Sequence, residues 1–172
     1  RYVVDSRSRQ RTMVPEEEYK NGHILTSETV TALANEGVKV NLGAHGQLQG
    51  LGAHWELWML QQGGLSNHDA LKAATINGAD YIGMSDEIGS LEKGKLADLI
   101  IMDNNPLENI QHTNSVIYTM VNGRLYDVST MNEIGNYDTK RGKFYFELDG
   151  YNQGVPVNLK TNSFTTPTCS CH

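Results

Sequence analysis

Gly89-Ser90-Leu91-Glu92-Lys93-Gly94-Lys95-Leu96-Ala97-Asp98-Leu99-Ile100-Ile101 is the stretch where the chain changes period, from helical spacing before it to apolar extended runs after it. Glycines at 89 and 94 permit sharp turns, and Glu92-Lys93-Gly94 predicts a turn between a short extended piece, 89–91, and an apolar strand from Leu96 to Met102. Lys95 and Asp98 are expected as surface or interface polar groups. Downstream, Val116 to Val121 has strand composition. Asn122-Gly123 then predicts a tight hairpin into Arg124-Leu125-Tyr126, because a two-residue turn needs positive φ at both positions. Lys143 to Leu148 is a candidate late strand, and 150–172, with scattered Gly, Pro, Asn and Thr, reads as an extended tail.

Upstream the signals are helical. Thr26 or Ser27 is expected to cap a helix with Val30, Leu33 and Ala34 on one face, stopped by Gly37. Val38-Lys39-Val40-Asn41-Leu42 follows as a candidate strand, ending in Gly43-Ala44-His45-Gly46. Leu51, Trp55, Trp58 and Met59 recur at helical spacing, Leu57 and Leu60 widen the apolar face, and Gly63-Gly64 ends that helix. Ser66 with Asp69 predicts a capped start for the next helix, whose inner face is expected to be Ala70, Leu71, Ala74 and Ile82. A helix running into a strand that ends in glycines is the rhythm of α/β proteins.

Composition narrows the possible partners. Of 172 residues, 38% are hydrophobic and 20% charged, enough apolar material for a core. A net charge of -6 argues against a nucleic-acid partner, because gripping a phosphate backbone needs a basic field. Arg1, Arg7, Arg9 and Arg11 precede Glu16, Glu17 and Glu18, a pattern of local ion pairs or of a docking surface. No apolar run approaches the roughly 20 residues of a membrane span. The two cysteines, Cys169 and Cys171, lie beside His172. They suit an ordinary tail, a disulfide, or part of a zinc site.

Taken in order, Val38–His45, the helices from His54-Trp55-Glu56-Leu57 through Ala70-Leu71-Lys72-Ala73-Ala74-Thr75-Ile76-Asn77, and Gly89–Ile101 resemble the C-terminal end of the amidohydrolase superfamily. Asp103-Asn104-Asn105-Pro106-Leu107 and Val121-Asn122-Gly123-Arg124 continue the likeness, which covers roughly residues 27–128. Trp55, Trp58 and the run Gln47-Leu48-Gln49-Gly50 are similar to a branch with a β-propeller ahead of the hydrolase domain. The resemblance implies an α/β fold: the C-terminal fragment of a (β/α)8 barrel plus part of a small β-sandwich. Residues 1–87 would end the barrel, 88–128 return into the sandwich, and 129–172 form an extended C-terminal tail.

The resemblance also implies the chemistry: hydrolysis of C–N bonds, in amides or cyclic amides, by a water activated on a divalent metal, zinc by preference. The family's metal-binding His-x-His pair is absent here, and a whole barrel takes about 250 residues. The chain is therefore expected to hold at most part of the metal site and to be inactive alone. The rest would come from a missing N-terminal barrel region or another chain, with a small-molecule or peptide substrate, a possible homo-oligomer, and a periplasmic or secreted setting. His45 falls where the family's last strand carries an acid, which implies a base or metal ligand; the alternative is a loop histidine at the barrel mouth. His54 and Glu56 are expected to brace the site or only to pack a helix end, and Gln47 to face substrate. A rival function is a non-catalytic structural or interaction domain, stable only with a partner.

Overall fold

The computed structural model describes residues 22–45, 50–144 and 147. It divides into two units, Arg1–Thr139 and Lys140–His172. The first unit begins with helix α1 (Gly22–Asn35). Thr26, Ser27 and Thr29 lie inside this helix and do not cap it. Their hydroxyls donate to the carbonyls of Gly22, His23 and Leu25 at 2.7, 2.8 and 3.0 Å, so each is satisfied one turn back. Gly37 stops the helix as expected. At φ 89 it lets Val38 N reach Leu33 O (3.1 Å) while its own N–H reaches Ala34 O (3.0 Å).

Helices α2 (Leu51–Gln62), α3 (Asn67–Ala73) and α4 (Ile76–Tyr81) follow. Gly64 and Gly83 close α2 and α4 with the same pair of bonds as Gly37. Ser66 caps α3, accepting from Asp69 N at 3.0 Å. The helix expected to run through Ile82 is broken at Ala74–Thr75, where Thr75 leaves helical backbone at φ -133. That break changes the phase of the inward face. Ala79 is buried, and Ile82 is 60% exposed.

Leu57, Leu60, Leu65, Ala70, Ala73 and Ile110 form the core, with Val30, Ala34, Val40, Leu42, Trp58 and Leu71 packed on it. On α2 the inward face is therefore Leu57 and Leu60, while Leu51 and Trp55 look to solvent. Trp58 Nε1 forks to Ile110 O (3.1 Å) and Thr113 Oγ1 (3.0 Å), joining α2 to a 3-10 helix at Ile110–Asn114. No helix among the described residues is long and apolar enough to cross a membrane.

Residues 38–42 form no strand, contrary to the sequence expectation. A strand exists by its ladder, and no neighbouring strand flanks this segment among the described residues. Its polar groups find other partners. Leu42 N donates to Ala73 O at 2.9 Å, and Val40 O accepts from Asn77 Nδ2 at 2.9 Å.

Past α4, strands β1 (Leu99–Met102), β2 (Val116–Val121), β3 (Arg124–Asp127) and β4 (Glu133–Ile134) form one antiparallel sheet in sequence order. The Asn122-Gly123 hairpin is present, with φ of 48 and 78 and Val121 paired to Arg124. Residues 89–91 are not extended in a sheet. Gly89, at φ 90, lies so close to α4 that an added Cβ would sit 2.6 Å from Ala79 Cβ. Lys95, expected as a surface or interface polar group, is turned inward. Its side chain is only 12% exposed, and its ammonium donates to Ser85 O and Ser90 Oγ, both at 2.5 Å. Asp98 accepts from Asn122 N at 2.6 Å and so holds the hairpin tip.

Strand β4 falls inside the stretch expected as tail. It is anchored by a charge: Glu133, 3% exposed, takes both prongs of the Arg124 guanidinium at 2.7 and 2.6 Å. That bidentate bond holds the Glu133 carboxyl below its ordinary range, against burial, which pushes it up. A depressed carboxylate adds stability that is full above its unfolded pKa and is lost as pH falls through the folded value. Asp69, bonded to Ser66 and Lys72, and Asp80, bonded to Lys39, act in the same direction. Glu133→Gln is expected to lower Tm by roughly 5 °C at neutral pH and to flatten the loss of Tm on acidification. Thermal melts of both proteins from neutral to acid pH check this; parallel Tm–pH curves would exclude the pair as an acid-sensitive contact.

In the second unit the described residues are 140–144 and 147. The two guanidinium nitrogens of Arg141 donate to Glu147 at 2.5 and 2.6 Å, and Phe144 N adds a third bond at 2.8 Å. Together they hold the Glu147 carboxyl down to about 2. Of the late strand expected at 143–148, Lys143, Phe144 and Glu147 are described and lie in no strand; its other residues, and the tail at 150–172, lie outside the described residues.

Candidate functional site

The segment 38–45 is positioned from three sides, and this places its last residue. Asn77 on α4 holds Val40 O, the end of α3 holds Leu42 N, and Glu56 on α2 holds the next amide: Gly43 N donates to Glu56 Oε1 at 3.0 Å. Each contact is long-range in sequence and engages a backbone group that a strand partner would otherwise take. Lys39 adds an ion pair to Asp80 at the surface. His45 emerges two residues beyond Gly43 and is exposed.

Of the expected site residues, Glu56 is thus brought to the His45 segment by a direct hydrogen bond, and its role there is to position backbone. His54, two residues earlier on α2, is half-buried, with its ring 6.4 Å from the Trp58 ring and tilted by 32°. Its Nδ1 is buried without a hydrogen-bond partner among the described residues, and so is Asn41 Oδ1. Gln47 lies outside the described residues, as do Cys169, Cys171 and His172.

The other histidines are engaged elsewhere or exposed. His112 Nδ1 lies 2.9 Å from Asn105 O, His23 Nε2 lies 3.2 Å from Gln62 Oε1, and His68 is exposed. Sequence reasoning did not single out Asn77 as an anchor of the His45 segment. An amide that reaches a carbonyl 37 residues away leaves no local signal.

An exposed imidazole can take a proton or ligate a metal, but it needs further ligands to hold an ion. Among the described residues no three His, Cys, Asp or Glu side chains converge into a cage. Glu56 Oε1 accepts from Gly43 N. The described residues therefore do not fit a complete divalent-metal site.

In chain order the elements are a helix, an anchored segment ending in an exposed histidine, three helices, and an antiparallel sheet entered through a Lys95-clasped loop. The amidohydrolase family model matches residues 20–126, more than half of the chain, and the chain belongs to that family. The 5-methylthioadenosine/S-adenosylhomocysteine deaminase of Teredinibacter turnerae is 36% identical over 111 residues, covering 56% of this chain and 25% of that protein. The imidazolonepropionase of Symbiobacterium thermophilum is 62% identical over 39 residues, covering 23% of this chain and 9% of that protein. Among solved structures, a Xaa-Pro dipeptidase with methionine bound in its active site is similar with a TM-score of 0.54 at 32% identity, over 59% of this chain and 25% of that one. The chain spans about a quarter of the length of the first curated relatives it matches. The amidohydrolase family generally uses a divalent metal.

Proposed function

We propose that these residues form the closing part of a metal-dependent amidohydrolase that adds water to a C–N bond, and that most of its metal ligands lie outside this chain. The observation that carries the proposal is the family match over residues 20–126. Three facts support the division of labour: the chain's span of about a quarter of its relatives, the absence of a ligand cluster among the described residues, and an edge strand, β1, with Ile100 and Ile101 both exposed. The relatives named as deaminases favour C–N bonds, since deamination replaces nitrogen with the oxygen of water.

In this proposal the segment 38–45 is the last strand of a (β/α)8 barrel, completed when the neighbouring strand pairs with it, and β1–β4 are part of the small β-sandwich. Zinc is the proposed metal, and it would supply hydroxide at neutral pH by acidifying bound water. His45 stands at the barrel mouth as proton acceptor or ligand, Glu56 keeps its segment in place, and His54 braces from the helix behind. Gln47 contacts a small-molecule or peptide substrate. By itself the chain is catalytically incompetent.

Metal analysis and amide-hydrolysis and deaminase assays test this in two preparations: the 172 residues alone, and the same residues joined to the N-terminal barrel region of an amidohydrolase, whose last strand they then supply. Turnover that is lost on chelation and restored by zinc is expected only in the second. Turnover by the isolated chain would overturn the division of labour, and chelator-resistant turnover in the complete protein would overturn the metal.

A further inference from the structure

The tip of the β2–β3 hairpin is exposed, and both its residues have left-handed backbone, Asn122 at φ 48 and Gly123 at φ 78. In an Asn-Gly pair the asparagine side-chain amide is open to attack by the following backbone nitrogen, because glycine has no Cβ to obstruct the approach. The reaction balances without any co-reactant but water. Gly123 N loses its proton and bonds to Asn122 Cγ, the Cγ–Nδ2 bond breaks, and ammonia leaves with that proton. Water then opens the five-membered imide at either carbonyl, giving aspartate or isoaspartate.

In this fold the attacking nitrogen is engaged. Gly123 N donates to Ala97 O at 3.1 Å, and the adjacent Asn122 N donates to Asp98 Oδ1 at 2.6 Å. Both acceptors lie on the loop that enters β1. The second bond is charge-assisted, the stronger kind, and it fixes the tip against the loop. The Asn77-Gly78 pair has a different setting: it lies in α4, and the Asn77 amide donates to Val40 O at 2.9 Å.

We propose that Asn122 is a latent deamidation site, intact while the Ala97–Asp98 loop holds the hairpin tip and converted when that contact opens. Conversion is one-way in structural terms. Isoaspartate inserts a methylene into the main chain of a two-residue turn whose Val121–Arg124 register has no slack, and either product adds a carboxylate close to Asp98.

Peptide mass spectrometry of the full chain during incubation in mildly alkaline buffer reads the conversion at Asn122 and Asn77 separately. Wild type, Asp98→Asn, Asp98→Ala and wild type in urea are compared. Native Asn122 is expected to deamidate at least about tenfold more slowly than in urea, and to speed up by about tenfold in Asp98→Ala while Asn77 is unchanged. Asp98→Asn, which keeps an acceptor without the charge, is expected to fall between. Equal native and urea rates, or no change at Asn122 in Asp98→Ala, would overturn the proposal. Parallel acceleration at Asn77 and Asn122 in Asp98→Ala would overturn it too, by assigning the protection to global folding.

Discussion

If the proposed function holds, replacing His45 with alanine in the complete protein is expected to lower kcat by about a hundredfold or more, with little change in Tm. The two halves of this expectation have separate physical causes. His45 is exposed and stands at the end of a segment whose position is set by Asn77, Ala73 and Glu56, so its side chain carries little of the fold. As proton acceptor or ligand at the proposed reacting water, it would matter to the transition state and leave substrate affinity largely unchanged. The loss should therefore fall on kcat more than on KM. His45→Asp, which supplies the acid the family resemblance leads one to expect, should recover part of the rate. Steady-state kinetics and thermal melts on the three proteins decide this. An unchanged kcat in the alanine variant removes His45 from the chemistry, and an equal fall in kcat and Tm makes it a structural residue.

Gly63→Ala is expected to destabilise the fold by about 3 kcal/mol or more, at the upper end of overpacking. The backbone at Gly63 is ordinary for any residue, φ -79 and ψ 4, so conformational freedom is not the issue. An added Cβ would lie 2.3 Å from both the carbonyl carbon and the Cβ of Ser27, and 2.6 Å from Glu28 N. Those atoms belong to the body of α1, and Ser27 is buried, so relief requires α1 and α2 to separate. Gly78→Ala is the matched control. A Cβ added there would meet nothing within 4 Å, and alanine in a helix interior should be neutral or stabilise by about 0.5–1 kcal/mol. Urea denaturation of the two variants measures both. Similar midpoints would mean that the close contact at Gly63 is relaxed at little cost.

What was legible beforehand sorts by distance along the chain. The Ser66 cap, the stop at Gly37 and the Asn122-Gly123 turn rest on bonds among residues a few positions apart, and their sequences announce them. The capping role expected of Thr26 and Ser27 failed because the same hydroxyls can bond inside the helix, where they are equally satisfied. At the candidate site, His45, His54 and Glu56 were visible as residue types, but what each touches was not. Glu56 is bonded to Gly43 N, and Asn77 anchors the segment from another helix.

By itself, then, the sequence determined the Ser66 cap, the helix stops at Gly37 and Gly63-Gly64, the Asn122-Gly123 hairpin, and membership of the amidohydrolase family through the order of its segments. Only the tertiary structure decided that 38–42 lies unpaired against α3 and α4, that Lys95 is clasped inward, that Glu133 pairs with Arg124 to secure β4, and that Gly63 is a contact between helices. The physical reason is common to all four. A turn or cap is specified by φ and by hydrogen bonds within a few residues, whereas a strand, a buried charge or a close helix crossing exists only through a partner supplied from elsewhere in the fold.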